Sequence, residues 1–414
     1  MTTLIERTKR ALLLLPFAAL LALLTAPALE AQTYTVIHSF TGGEGGSYPQ
    51  SGVTLDQAGN LYGTAAGGAA NPYGVVYKMT RVGANWIYTP IYHFRGFPDA
   101  ESPEARVIFG PDGALYGTTL EGGDVNMGTV YRLSPQPTFC RSALCSWNET
   151  ILHSFQGAPD GANPGTGDLL FDPSGNLYGT TQYGGMRDQS CMESYCGTAF
   201  ELQHTNGTWQ ESVIYQFAYS TGFNPMAGFI RDSSGNLYST TTFNPAFGGT
   251  VYELSPSGRG WTPTFLYSSP GSFSELRAGL VFDSSGNLYG AFGSGGPEEG
   301  GGAFELAHSG SSWTYVPVWD FNGPEGGPQA ALTVDAAGNL YGTTAIDGPR
   351  TCGAVFKLTP SGGSWTYTSL HNFTCGSDGE GPVSNVSFDA SGNMYGTTSG
   401  GGAYGKGVIW EIIP

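Results

Sequence analysis

The chain has 414 residues, with 65 glycines and 26 prolines, about twice the usual joint share, yet 13% of its residues are aromatic and 40% apolar. That is too much buriable surface for a disordered chain, and no Gly-x-y period supports a collagen, so the glycines punctuate a turn-rich folded structure. Only 12% of residues are charged and the net charge is -17, which argues against nucleic acid or an anionic membrane as partner, since both recruit basic surfaces.

The first 31 residues read as a secretory signal. Arg7, Lys9 and Arg10 precede the apolar run from Ala11 to Leu24, and Ala26, Ala28 and Ala31 offer small residues for cleavage after Ala28 or Ala31. The run is shorter than the ~20 residues that span a bilayer, and no later segment could span one. The expected domains are therefore a signal at 1–31 and one folded domain at 32–414. The mature protein is expected to be extracellular or periplasmic, without a membrane span.

Beyond the signal the chain repeats itself. GNLYGT or a close variant recurs seven times, with tyrosines at Tyr62, Tyr116, Tyr178, Tyr238, Tyr289, Tyr341 and Tyr395, spaced by 54, 62, 60, 51, 52 and 54 residues. This period fits propeller-like arrays better than helical solenoids. In the third unit, strand a (Asp168 to Asp172) leads through a D-x-x-G-N turn to strand b (Asn176 to Thr181), a tight antiparallel hairpin in which Asp caps the turn and Gly takes a positive φ. Strands c (Gly197 to Leu202) and d (Trp209 to Phe217) follow, giving four short strands per unit.

The two ends complement each other. The mature chain opens on Thr33 to Phe40, which matches strand d, and closes on Gly407 to Ile413, which matches strand c. If the first strand completes the last unit, a ring closes and no open edge remains. The fold class predicted is all-β, a seven-bladed β-propeller of four-stranded antiparallel blades, closed by that N-terminal strand.

The combination of G-x-V-Y/F-x-L, an L-Y/H-S-F strand, D-x-x-G-N-L-Y-G-T-T and a Gly-rich loop resembles the GloVer tandem repeat of secreted bacterial proteins, from Thr33 to Ile413. The D-x-x-G-N-L-Y core also looks like repeats of NHL-type and lactonase-type propellers. The resemblance implies a secreted or surface-displayed protein of unassigned activity, often with a C-terminal anchoring or sorting segment. The sequence stops at Pro414 directly after strand c, which predicts a released or periplasmic protein over an anchored one.

The six cysteines, Cys140, Cys145, Cys191, Cys196, Cys352 and Cys375, allow fifteen pairings. Locality favours Cys140–Cys145, Cys191–Cys196 and, across strands c and d, Cys352–Cys375. C-x4-C lacks the spacing of zinc knuckles, and D-x-[DN]-x-[DN]-G is absent, so no metal and no cofactor is expected.

Residues that recur once per blade are expected to be structural. They include the turn aspartates Asp56, Asp172, Asp232, Asp283, Asp335 and Asp389. They also include the position two before the strand-d Phe, which is His38, Tyr92, His153, Tyr215, Tyr267, Trp319 and His371. Function should lie where the repeat breaks, at the channel-facing start of strand a. Four residues before the turn stand Gly52, Arg106, Asp168, Gly228, Gly279, Ala331 and Asn385; six before stand Gln50, Glu104, Thr166, Met226, Arg277, Gln329 and Val383. Glu104, Arg106, Asp168 and Arg277 break these small or polar series, and Arg231 replaces an apolar residue at the foot of strand a. Together these five are the candidate ligand-binding set at the channel mouth, against the plainer reading that such charges pair across the pore.

Two functions fit the sequence. One is an extracellular binding propeller, a monomer, with carbohydrate or another polymer as ligand and acidic loops at Asp99, Glu101, Glu298 and Glu299. The other is a propeller hydrolase, lactonase or lyase, with Glu104 and Asp168 as acid and base and Arg106 or Arg277 stabilising negative charge. No G-x-S-x-G, H-E-x-x-H or phosphate loop supports other chemistry.

Overall fold

A computed structural model describes residues 32–68, 72–136, 147–191, 195–246, 248–258, 260–269, 275–322, 326–346 and 349–414. Cys140 and Cys145 lie outside them. Residues Tyr34–Ile413 form one compact unit. It is a seven-bladed β-propeller of four-stranded antiparallel blades, with inner strands at Thr54–Leu55, Ile108–Phe109, Leu170–Phe171, Ile230–Arg231, Val281–Phe282, Thr333–Val334 and Ser387–Phe388. Blades are numbered one to seven in that order. Among the described residues the only helical turn is a 3-10 segment at Tyr219–Thr221.

The repeated motif sets the hairpin. In blade three, Asp172 Oδ1 accepts the backbone N–H groups of Ser174 and Asn176 at 2.8 and 2.9 Å, while Oδ2 accepts Asn176 Nδ2 at 3.0 Å. The same Asp cage recurs in blades one, four, five, six and seven, where Tyr62, Tyr238, Tyr341 and Tyr395 also donate to it. Blade two carries Gly110 where the others have Asp, and Asp112 takes over the Tyr116 bond, with Arg132 as its charged partner.

The Gly of L-Y-G-T makes room for the neighbouring strand. A Cβ on Gly63, Gly117, Gly179, Gly290, Gly342 or Gly396 would stand 2.3–2.7 Å from the strand-c aromatic beside it, Tyr77, Tyr131, Phe200, Phe304, Phe356 or Trp410. The following threonine then stitches blade to blade: Thr64, Thr180, Thr240, Thr343 and Thr397 donate to backbone carbonyls of the next blade's inner segment at 2.7–3.1 Å. Burial follows, since apolar clusters form between successive blades; Tyr62, Leu115 and Leu133 share one with Phe109 and Trp147.

Ring closure matches the sequence expectation. The strand Thr33–Ser39 lies beside Val408–Ile413 in the sheet of blade seven, and the Phe40 N–H donates to Gly407 O at 3.0 Å. Phe40 is fully buried. Two boundaries differ. Inner strands are ladder-paired over only two residues, because the preceding residues turn into the channel wall. The second strand of blade three runs Leu177–Gly184, past the expected end, because it pairs with a short additional strand Gly161–Pro164. Cys191–Cys196 and Cys352–Cys375 are disulfide-bonded, as locality suggested.

Candidate functional site

The inner segments enclose a central channel of about 870 Å³. Every residue counted four and six before the strand turns lines it, so the two rings expected from the repeat exist as rings. Four of the five singled-out charges are among the lining residues: Glu104, Arg106, Asp168 and Arg277. Arg231 is not among them. It sits at the far end of its two-residue strand, with its guanidinium 3.0 Å from where a Gly235 Cβ would stand, beside the hairpin turn. The lining therefore carries two acids and two bases on otherwise small, apolar and amide side chains.

These charges differ in their state. Arg106 bonds Asp168 across adjacent blades, with Nε 2.9 Å from Oδ2 and a terminal nitrogen on the same oxygen; both side chains stay partly exposed, at 26% and 34%. Arg277 pairs with Glu275 at 2.7 Å, a local partner two residues away, and its side chain remains 44% exposed. Glu104 makes no hydrogen bond or ion pair to any described residue. Burial, and then the nearby Glu121 carboxylate, push its carboxyl above the usual range. The plain reading of pore charges as mutual partners thus holds for Arg106 and Asp168 and leaves Glu104 unpaired.

Loops from the d–a and b–c connections meet on the mouth side. In blade two Ala100–Glu101 pairs with Glu121–Gly122, and single bridges join Ser47 to Gly67, Phe223 to Phe243 and Glu380 to Gly400. Glu101 and Glu121 face each other directly in that short ladder, a like-charge arrangement that raises the Glu101 carboxyl, after burial itself. Counting back along strand a could not reveal Glu121, which arrives from a b–c loop. Tyr48, Tyr73, Phe97 and Tyr404 are exposed on the same loops, at 42%, 37%, 60% and 62%.

Away from the channel, the outer strands form seams between blades. The residue six before the end of strand d is Tyr34, Tyr88, Glu149, Glu211, Pro263, Tyr315 or Tyr367, and in six seams, all but that of Pro263, it meets the preceding blade at its His, Tyr or Trp position. In four seams the two rings stack: Tyr34 on His371 at 3.6 Å, Tyr88 on His38 at 3.9 Å, Tyr315 on Tyr267 at 4.6 Å and Tyr367 on Trp319 at 5.6 Å. Burial holds His38 down to about 4, so it packs as a neutral ring. In two seams a glutamate replaces the tyrosine: Tyr92 donates to Glu149 at 2.7 Å, and Glu211 lies against His153 and Asp160. The His371 and His153 rings also contact Asp378 and Asp160, at 3.2 and 3.1 Å. Among the described residues a second grouping of metal-ligand types, Asp188 with Cys191 and Cys196, offers no thiolate because both cysteines are bonded to each other.

The chain matches the model of the Gloeobacter/Verrucomicrobia repeat over residues 27–243 and again over 189–410. It belongs to this repeat family. The resemblance seen in the GNLYGT units is thereby confirmed, and the two overlapping matches follow the repeated blades. No curated protein matches the chain. Among solved structures it is similar to a candidate 6-phosphogluconolactonase from Bacteroides uniformis, with TM-score 0.51 and 14% identity over 84% of this chain and 89% of that one. It is also similar to an ulvan lyase, a polysaccharide lyase, with TM-score 0.52 and 10% identity over 88% and 94% of the two chains. At such identities the likeness is one of fold, which hosts many unrelated functions.

Proposed function

We propose that this repeat-family propeller is an exported binding protein that takes a polyhydroxylated, saccharide-type ligand at the mouth of its central channel, through Glu104, Arg106, Asp168 and Arg277. The observation that carries this reading is that four repeat-breaking charges line one central channel, with Glu104 unpaired and Arg277 half-exposed. A cavity of this volume suits a small ligand or the end of a chain. Balanced charge beside amides and hydroxyls (Gln50, Thr166, Gln329, Asn385) fits a ligand rich in hydroxyl groups. The exposed rings of Tyr48, Tyr73, Phe97 and Tyr404 on the mouth-side loops offer flat apolar faces for the C–H faces of sugar rings. Two disulfides are consistent with an oxidising compartment. We place the protein there as a monomer released after cleavage of residues 1–31.

A second reading is favoured by Glu104 itself. An unpaired carboxyl with a raised proton affinity is equipped to give and take a proton, and Arg277 could stabilise the negative charge that develops. One experiment separates the two. The purified mature protein is screened against a panel of oligosaccharides and polysaccharides, with release of new chain ends followed in parallel. Binding that falls more than about tenfold in Arg277→Ala and Glu104→Gln, with the melting temperature almost unchanged, supports the channel site. Turnover by the parent that vanishes in Glu104→Gln supports catalysis. Binding at parent strength in both variants sinks the site.

A further inference from the structure

We propose that His153, Asp160 and Glu211 form a binding site for one divalent transition-metal ion, of the Zn(II) or Mn(II) class, that clasps the outer strands of blades two and three. His153 belongs to the outer strand Asn148–Ser154, Asp160 to the connection that leads into blade three, and Glu211 to the outer strand Thr208–Gln216. One ligand atom from each lies within 4.8 Å of the other two. His153 Nε2 and Asp160 Oδ2 are 3.1 Å apart, close to the ~3.3 Å edge of a tetrahedron with metal–ligand bonds of about 2.0–2.1 Å. No contiguous metal motif marks these three residues in the sequence, because they come together from two blades.

The site leaves oxygen atoms without a donor. Asp160 Oδ1 and Glu211 Oε1 are both buried without a hydrogen-bond partner, while Asp160 Oδ2 also accepts the Gln156 N–H at 2.9 Å. A buried acceptor-only oxygen needs a proton or a cation, and no Lys or Arg pairs with either carboxylate among the described residues. Two carboxylates and a neutral imidazole present a charge of about -2, which a divalent ion neutralises at one point. The imidazole selects against calcium and magnesium, which prefer all-oxygen shells, and in favour of zinc, while the two carboxylates also suit manganese.

The ring supplies its own controls. The seam of Tyr92, Asp99 and Glu149 has the same two carboxylates but a phenol in place of the imidazole. The seam of His371 and Asp378 has the imidazole and one carboxylate, with the Tyr34 ring where the glutamate would be. Only between blades two and three, among the described residues, do all three ligand types coincide.

The test uses the purified full chain, stripped with chelator, dialysed against Zn(II) or Mn(II), and assayed for bound metal by atomic emission and for melting temperature. The expected result is one ion per chain and a melting temperature that rises with metal concentration. Glu211→Gln and His153→Gln should each weaken binding by at least about tenfold, whereas Glu149→Gln should bind as the parent does. Glu211→Gln keeps the side-chain shape, so it decides the matter if His153→Gln fails to fold. A folded parent that binds no stoichiometric ion, as a proton shared between Asp160 and Glu211 would produce, overturns the site. So does an ion retained at parent affinity in Glu211→Gln.

Discussion

Six of the seven seams between blades come in two chemistries. At the Tyr34–His371, Tyr88–His38, Tyr315–Tyr267 and Tyr367–Trp319 seams, two flat rings close the gap between outer strands. At the Tyr92–Glu149 and His153–Glu211 seams, a carboxylate does so, and it is held in surroundings that resist its charge. Both positions have the same backbone geometry, since each outer strand pairs with its third strand through the same bulge before the aromatic residue, as between Val76 and Tyr77 or Val130 and Tyr131. The repeat thus fixes where a side chain stands and leaves its chemistry free. Stacked phenol and indole rings contribute alike across the ordinary pH range, and the His38 stack contributes fully above about 6.5 and loses its share as pH falls towards about 4, whereas buried carboxylates contribute only with a proton, a donor or a cation.

The sharpest way to break the aromatic side of this comparison is to remove the ring-closing strand. Deleting residues 33–40 takes away the buried Phe40, the partly buried Val36 and Ile37, the Tyr34–His371 stack and the ladder on Val408–Ile413. At ~1.5–3 kcal/mol per apolar side chain the loss is of order 5–9 kcal/mol, comparable with the whole stability of many domains. The variant should aggregate or fail to fold. A soluble variant with unchanged melting would show that closure contributes little. Truncating a single ring should cost less. Tyr88→Ala loses the His38 stack and the bond to the Gly45 carbonyl, and should destabilise by about 2–4 kcal/mol in a denaturant titration.

The carboxylate side is sharpened by pH. Burial, then the neighbouring Asp99, push Glu149 up to about 8, against an ordinary 4.5. A carboxyl whose folded-state value is raised binds more protons folded than unfolded, so its favourable contribution is complete below about 4.5 and is lost as pH rises through about 8. Glu149→Gln keeps the shape and cannot ionise. Relative to the parent it should gain about 1–3 kcal/mol at pH 9 and almost nothing at pH 4. Equal stability differences at both pH values would mean that Glu149 titrates in the folded protein as it does in the unfolded chain.

Most of the fold was legible because each motif residue answers a local backbone need that recurs from blade to blade: Asp caps the turn in six blades, Gly clears the strand-c ring in six and Thr reaches the next blade in five. Channel positions were legible for the same reason, since counting back from the turn tracks one backbone path. Arg231 breaks the pattern at the foot of strand a, yet it lies at the end of a two-residue strand beside the hairpin turn and away from the channel lining. Glu121 and the seam glutamates escaped notice because their partners come from other connections or other blades. Aligning the residue six before the end of each strand d would have exposed Glu149 and Glu211 among the tyrosines.

The smallest effect is expected where charge is solvated. Arg106 and Asp168 pair like the members of a pore-filling ion pair, and breaking such a pair where it is fully buried strands a charge at a cost of roughly 3–5 kcal/mol. Their side chains are 26% and 34% exposed in the open channel, so water reaches whichever partner remains. Arg106→Ala should therefore destabilise by only about 0.5–1 kcal/mol, less than Tyr88→Ala and without the pH dependence of the Glu149 seam. A double-mutant cycle with Asp168→Ala measures the coupling directly. Coupling above about 2 kcal/mol would mean that the channel wall is as dry as the seams, and would return these two residues from the candidate site to the scaffold.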